Sequence, residues 1–307
     1  MLATGKGSAT PVKVRIGVGM GLTPVGDAAE FGGLVDAIDH LGFDSIWLPE
    51  ILTAPVLDPL VGLAFAAAHN PHLKLGTTML LPGRNLVRVA KELAALDRLS
   101  GGRLLVTFVP GLPRQPESAA TGVGGRHKGR LMDEMLPLLR RLWAGETVSH
   151  HGEAADFDDV SVSPLPVQQP LEFWTGGMVP AALRRCGRFA DGWLPSSCTP
   201  AEAAAARVTI DEAAAEAGRT ISDEHFGVSV AYARRPLSPR LEQAVASTRR
   251  GVVPSEVVPV GIDGLRALLE RFLEVGFSKF VVRPIENPDS WPDELDALAD
   301  GLLDLQA

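Results

Sequence analysis

Residues 73–109 read LKLGTTMLLPGRNLVRVAKELAALDRLSGGRLLVTFV. Leu73 to Leu81 is a nearly continuous apolar run. Val87 to Leu99 then places Leu93, Leu96 and Leu99 on one helical face and stops at Gly101-Gly102, a favoured helix ending. Leu104 to Val109 is apolar again. Strand, helix and strand follow one another, and the strands lack the polar alternation of a half-solvated sheet. This pattern predicts parallel strands buried on both sides.

The same unit repeats in both directions. Strands are expected at Val14 to Met20, Ser45 to Leu48, Leu171 to Trp174, Gly192 to Leu194, Phe226 to Tyr232 and Phe280 to Ile285, each followed by a helical pattern. The helix after Ser196 is the most sharply specified: Thr199-Pro200-Ala201-Glu202 is a capping box with Pro in the first turn. Eight strand-helix units predict an α/β fold, a (β/α)8 TIM barrel, over residues 13–307. A hairpin excursion is expected at about 146–165 and an insertion at about 233–260. Residues 1–12 read as a frayed tail. A doubly wound Rossmann sheet is the alternative, but Gly17, Gly19 and Gly21 lack the third glycine of its fingerprint.

With 46% hydrophobic residues among 307, the chain can bury a large core, which excludes disorder as its main state. There are 29 Lys and Arg against 37 Asp and Glu, a net charge of −8, the wrong sign for capturing nucleic acid. The longest clean apolar stretch, Val61 to Ala68, falls far short of the roughly 18 to 20 residues needed to cross a bilayer. Cys186 and Cys198 form neither a disulfide framework nor a metal spacing, which fits a reducing cytoplasm.

In such a barrel the working residues lie where strands end and loops begin. Those positions hold Gly19 and Met20, Glu50, Thr77, Thr78, Met79, Gly111, Trp174, Thr175, Gly176, Gly177, Met178, Ser196, Ser197 and Arg283. The set is short of ionisable groups, so no metal site is expected; His69 and His72 read as a helix terminus. No Gly-x-Ser-x-Gly elbow occurs. A mostly neutral mouth suits a planar redox cofactor that supplies the chemistry the side chains lack. Thr175-Gly176-Gly177, and separately Ser196-Ser197, stand ahead of helices and could offer backbone N–H groups to a phosphate.

These residues carry a family likeness. KLGTTMLLPGRN at 74–85, LDRLSGGR at 96–103, GFDSIW at 42–47, WTGG at 174–177, ADGW at 190–193 and FVVRP at 280–284 resemble the bacterial-luciferase-like superfamily of flavin and deazaflavin enzymes. Within it, the likeness is to actinobacterial coenzyme F420-dependent oxidoreductases. The resemblance implies that Thr78-Met79 forms a bulge with a non-prolyl cis peptide against the ring. It further implies that Gly176, Gly177 and Met178 hold the cofactor phosphate, and that Glu50 lies near the ring. Relatives that oxidise sugar phosphates carry a histidine where Ile51 stands, an acid where Leu112 stands, and often a lysine in the Ser197-Cys198-Thr199 region. Their reaction is therefore disfavoured.

The expected activity is hydride transfer between F420 and a small organic substrate, with Glu50, Arg283 and His127 as the groups for proton transfer or charge stabilisation. Arginine stays protonated, so Arg283 is the electrostatic member. The basic turn Arg126-His127-Lys128-Gly129-Arg130 opens a helix, where the macrodipole disfavours cations by about 0.3 to 1 kcal/mol. A polyglutamylated deazaflavin tail would justify it; Asp133 and Glu134 could equally balance it. An FMN-dependent monooxygenase and a non-catalytic cofactor-binding barrel are the alternatives. The expected partner is a small molecule, and relatives suggest a homodimer.

Overall fold

The protein is described from a computed structural model covering residues 13–111, 116–249 and 251–306. The expected tail at residues 1–12, and Leu112, lie outside the described residues. Eight parallel strands form one sheet: β1 (Arg15–Gly19), β2 (Ser45–Pro49), β3 (Lys74–Leu80), β4 (Leu104–Val109), β7 (Phe173–Thr175), β8 (Gly192–Trp193), β9 (Gly227–Tyr232) and β10 (Lys279–Pro284). β5 (Val148–His151) and β6 (Asp156–Val160) pair antiparallel in a separate hairpin. The large sheet runs β8-β7-β4-β3-β2-β1-β10-β9. Its two edges meet where Trp193 bridges Phe226, Ser196 bridges Ser229, and the Ser229 N–H donates to the Pro195 carbonyl at 2.8 Å. The sheet thereby closes into the TIM barrel.

Around it run α1 (Ala28–Leu41), α2 (Pro59–His69), α3 (Leu86–Leu99), the short α4 (Glu117–Ala120), α5 (Lys128–Trp143), α6 (Pro180–Phe189), α7 (Pro200–Glu216), α8 (Pro239–Thr248), α9 (Pro254–Val257), α10 (Gly261–Glu274) and α11 (Trp291–Leu302). Helices α8 and α9 occupy the 233–260 segment, where Val257 and Val258 pack with Ala231 and Ala233 in a small satellite core. The capping box at Thr199 is formed: its hydroxyl accepts from the Glu202 N–H and Glu202 accepts from the Thr199 N–H.

Side chains alternate across each strand, so register separates two faces. Ile16, Val18, Ile46, Leu75, Phe108, Phe173, Trp193, Val228 and Val282 are buried beneath the helix layer. The other face lines the barrel interior, where Gly17 stands beside Ser45, Trp47 beside Gly76, Thr78 beside Thr107, and Trp174 beside Gly192. Glycine is required twice here. A Cβ at Gly76 would fall inside the Trp47 indole, and one at Gly192 inside the Trp174 indole. Two tryptophans thus fill space that four β-branched side chains would otherwise occupy, and the glycines are what lets them in.

Candidate functional site

The strand ends form a mouth whose only charged inward residue on β10 is Arg283. Gly19 on the neighbouring strand admits it: a Cβ there would lie 3.1 Å from Arg283 Cβ. Among the described residues the guanidinium has neither a hydrogen bond nor an ion pair, and burial pushes its pKa down with no anion to oppose the shift. Arg283 is part-buried, and desolvation disfavours a cation that nothing negative joins. Arg283 is therefore placed to meet negative charge brought by a ligand.

Glu50 is differently disposed. Its Oε2 accepts from the Leu80 N–H at 2.7 Å and its Oε1 pairs with Arg84 Nη2 at 2.5 Å, while its own N–H donates to the Thr78 carbonyl at 2.9 Å. Both carboxylate oxygens are engaged in tying β2 to the end of β3. Removing one partner of a buried pair costs about 3 to 5 kcal/mol. Glu50→Ala is thus expected to lower the unfolding midpoint markedly, with Arg84→Ala similar and the double variant little worse. Full stability with a displaced pH–rate profile would instead identify Glu50 as a proton-transfer group.

His127 is exposed and caps α5, its Nδ1 accepting from the Arg130 N–H at 3.2 Å. Asp133 and Glu134 do not balance the basic turn. Asp133 pairs with Arg185 at 2.7 Å, and Glu134 binds His150 at 2.8 Å together with the N–H groups of Glu153, Ala154 and Ala155 in the hairpin. Arg126 pairs with Glu153 at 3.2 Å. The Lys128 ammonium is buried and has no hydrogen-bond partner among the described residues; a Cβ built on Gly111 would lie 3.7 Å from it. Sequence reasoning placed Lys128 in a basic turn but not among the site residues. It also missed Arg84, although that residue sits inside the quoted 74–85 stretch.

The remaining residues separate by face. Gly19, Thr78, Gly111 and Gly176 belong to the inward side or rim. Met20, Thr77, Met79 and Thr175 fall on the outward register and are buried toward the helices, Thr175 beside Cys186. Trp174 is inward but deep: it lines a cavity of about 270 Å³ at the opposite, N-terminal end of the barrel, with Arg15, Trp47, Lys74 and Lys279. The Thr78–Met79 peptide is not cis; cis bonds among the described residues precede Pro164 and Pro170. β3 keeps unbroken register with β4 from Leu75 to Leu80, so no bulge forms.

The two phosphate candidates also differ. Around Ser196 and Ser197 the following helix is closed by its capping box, and Ser197 itself adopts φ 53°. By contrast, α6 begins at Val179 without a side-chain cap, after Gly177 at φ 102°. Gly176 is pressed between Val109 and the Leu194 carbonyl, where a Cβ would lie 3.0 and 3.1 Å from them. Met178 packs partly buried against the main core. The Gly176–Met178 turn with its open helix start is the better anion cradle. His69 and His72 pair with separate carboxylates, Asp36 at 3.0 Å and Asp39 at 3.3 Å. Among the described residues no group of three or more metal ligands converges, and no helix is long and apolar enough to cross a membrane.

A family-wide sequence profile described as luciferase-like monooxygenase matches residues 10–259. A Mycobacterium tuberculosis protein is 32% identical over 178 residues, 57% of this chain and 60% of its own length. Limonene 1,2-monooxygenase of Rhodococcus erythropolis is 28% identical over 228 residues, 72% of this chain and 58% of its own. The chain thus spans about 60% of the length of these curated relatives. Among solved structures, the coenzyme F420-dependent tetrahydromethanopterin reductase of Methanopyrus kandleri superposes with a TM-score of 0.78 at 17% identity, covering 96% of this chain and 100% of that one.

Proposed function

Because the chain belongs to the luciferase-like monooxygenase family, we propose that it is an oxidoreductase that binds a deazaflavin of the F420 type and acts on a small organic substrate. The observation that carries this reading is the mouth's charge pattern. Glu50 is locked to Arg84, whereas among the described residues neither the part-buried Arg283 guanidinium nor the buried Lys128 ammonium forms an ion pair. Such a mouth offers positive charge and shape, and little proton transfer of its own.

The residues present fit such a cofactor. Gly177, Met178 and the start of α6, which has no side-chain cap, would receive its phosphate, while the Gly176 N–H already donates to the Phe108 carbonyl at 3.3 Å. Gly19 and Thr78 would stand beside the ring, and Arg283 would stabilise negative charge on the ring or substrate during the reaction. When bound, the deazaflavin supplies two-electron hydride chemistry. The barrel walls contribute by fixing distance and excluding water.

FMN is the second reading, favoured by the likeness to limonene 1,2-monooxygenase. Its single phosphate would use the same cradle but leave Lys128 unanswered. Titrating the purified apoprotein with each cofactor and following fluorescence quenching separates the two. Tight binding of F420 with weak FMN binding is expected; the reverse, together with oxygen uptake on adding reduced FMN, would replace the deazaflavin reading with a monooxygenase. The expected homodimer and cytoplasmic setting remain part of this proposal.

A further inference from the structure

Among the described residues the Lys128 ammonium is buried without a hydrogen bond or an ion pair. It opens α5, whose first turn carries no acidic residue. Positive charge at that end already opposes the helix dipole. The acids within reach are committed elsewhere. Glu117 accepts from the Leu52 N–H at 2.8 Å, the Thr53 N–H at 3.1 Å and the Thr53 hydroxyl at 2.8 Å, strapping α4 to the loop after β2, and it forms no ion pair with Lys128. Asp133 holds Arg185 and Glu134 holds the hairpin. Lys128 does act on Glu117 from a distance. Burial works to raise the Glu117 carboxyl, but the Thr53 hydroxyl, the two backbone N–H groups and the Lys128 charge together hold it below its ordinary value.

The position of the ammonium shows what it serves. It sits beside Gly111, which follows β4 directly, and β4 pairs with β7 through Phe108 and Thr175, one residue before the Gly176–Gly177 turn. Arg185, whose guanidinium contacts the Gly129 carbonyl at 3.0 Å, joins the start of α5 to α6. The β4–β7 side of the mouth therefore presents two anion-seeking features on adjacent strands: the uncapped start of α6 and the unpaired ammonium.

Resting on the deazaflavin reading above, we infer that Lys128 recognises a second anionic group of the bound cofactor, beyond the phosphate held at Gly177–Met178. A carboxylate of the glutamyl tail has the required chemistry. Lys128 is thus a cofactor-selecting residue that favours a ligand with several anions over one with a single phosphate.

The test uses the full-length protein as wild type, Lys128→Gln and Lys128→Arg. Dissociation constants are measured by fluorescence quenching at low and raised salt, for F420 bearing several glutamates, for its glutamate-free form and for FMN. Lys128→Gln is expected to weaken the glutamylated cofactor about tenfold at low salt, and Lys128→Arg to restore most of the loss. The difference should shrink as salt rises. A loss confined to the glutamylated form supports the tail carboxylate; an equal loss with the glutamate-free form would place Lys128 on the one phosphate and overturn the inference. The melting temperature of Lys128→Gln should not fall, because no internal partner is removed. Unchanged affinities across all ligands overturn the inference while leaving the deazaflavin reading standing. Should the wild type bind only FMN, the deazaflavin reading falls, and the inference falls with it. Binding of neither cofactor overturns both.

Discussion

Arg283→Met is expected to leave the melting temperature unchanged or raise it, while lowering kcat/KM by about a hundredfold. The two effects have opposite signs for one reason. The guanidinium is part-buried and has no ion pair among the described residues, so the folded protein bears desolvation that no described group offsets. Replacing a buried charge by an apolar side chain of similar length is commonly neutral or stabilising by about 1 to 4 kcal/mol. The same charge would stabilise negative charge developing beside Gly19, and deleting one such preorganised group typically costs about 10² to 10³ in rate. Lysine is a poor substitute, since a compact ammonium would not reach as a planar fork does. Thermal unfolding paired with steady-state kinetics decides the matter. A clear fall in melting temperature would mean that Arg283 supports the barrel, and an unaltered kcat/KM would remove it from the reaction.

Gly76→Ala should be the most damaging single methyl in the barrel. The added carbon would overlap the Trp47 indole, whose Nε1 is tied to Ser45 Oγ at 2.9 Å and whose strand is hydrogen-bonded on both sides. The ring could move only toward the cavity it lines, and only by giving up its bond to Ser45. Overpacking typically costs about 1 to 3 kcal/mol and more where the neighbour is rigid; about 3 kcal/mol is expected here. The double variant Gly76→Ala with Trp47→Leu should recover part of that loss. Trp47→Leu alone should be destabilising, because it leaves a cavity over the glycine. The measurement is a double-mutant cycle on unfolding midpoints. Additive losses would show that the indole and the glycine do not share the space described.

Much of the fold was legible before any coordinates. The apolar runs at 73–81 and 104–109 became β3 and β4, and the helix between them ended where Gly101-Gly102 stand. The Thr199 capping box formed as written, because a cap is chemistry between residues three apart. Even the split between inward and outward site residues was readable in principle. Thr77 and Met79 flank Thr78 on a strand, so strict alternation sends them to the opposite face; treating the strand end as one patch merged the two faces. The cis peptide implied by family likeness at Thr78–Met79 is absent, because regular pairing with β4 continues through that bond.

The charges at the mouth were not legible. Glu50 and Arg283 look equivalent in the sequence, each an ionisable residue at a strand end. Folding brings Arg84 and the Leu80 N–H onto Glu50, and brings nothing onto Arg283. Likewise Asp133 and Glu134, the obvious partners of the basic turn, are drawn away by Arg185 and by a hairpin some twenty residues on, and this leaves Lys128 bare. Local propensities and caps depend on neighbours along the chain, so the sequence alone determined the elements and the barrel they build. Whether a charge is neutralised depends on groups that meet only when distant segments pack, and that was decided by the tertiary structure.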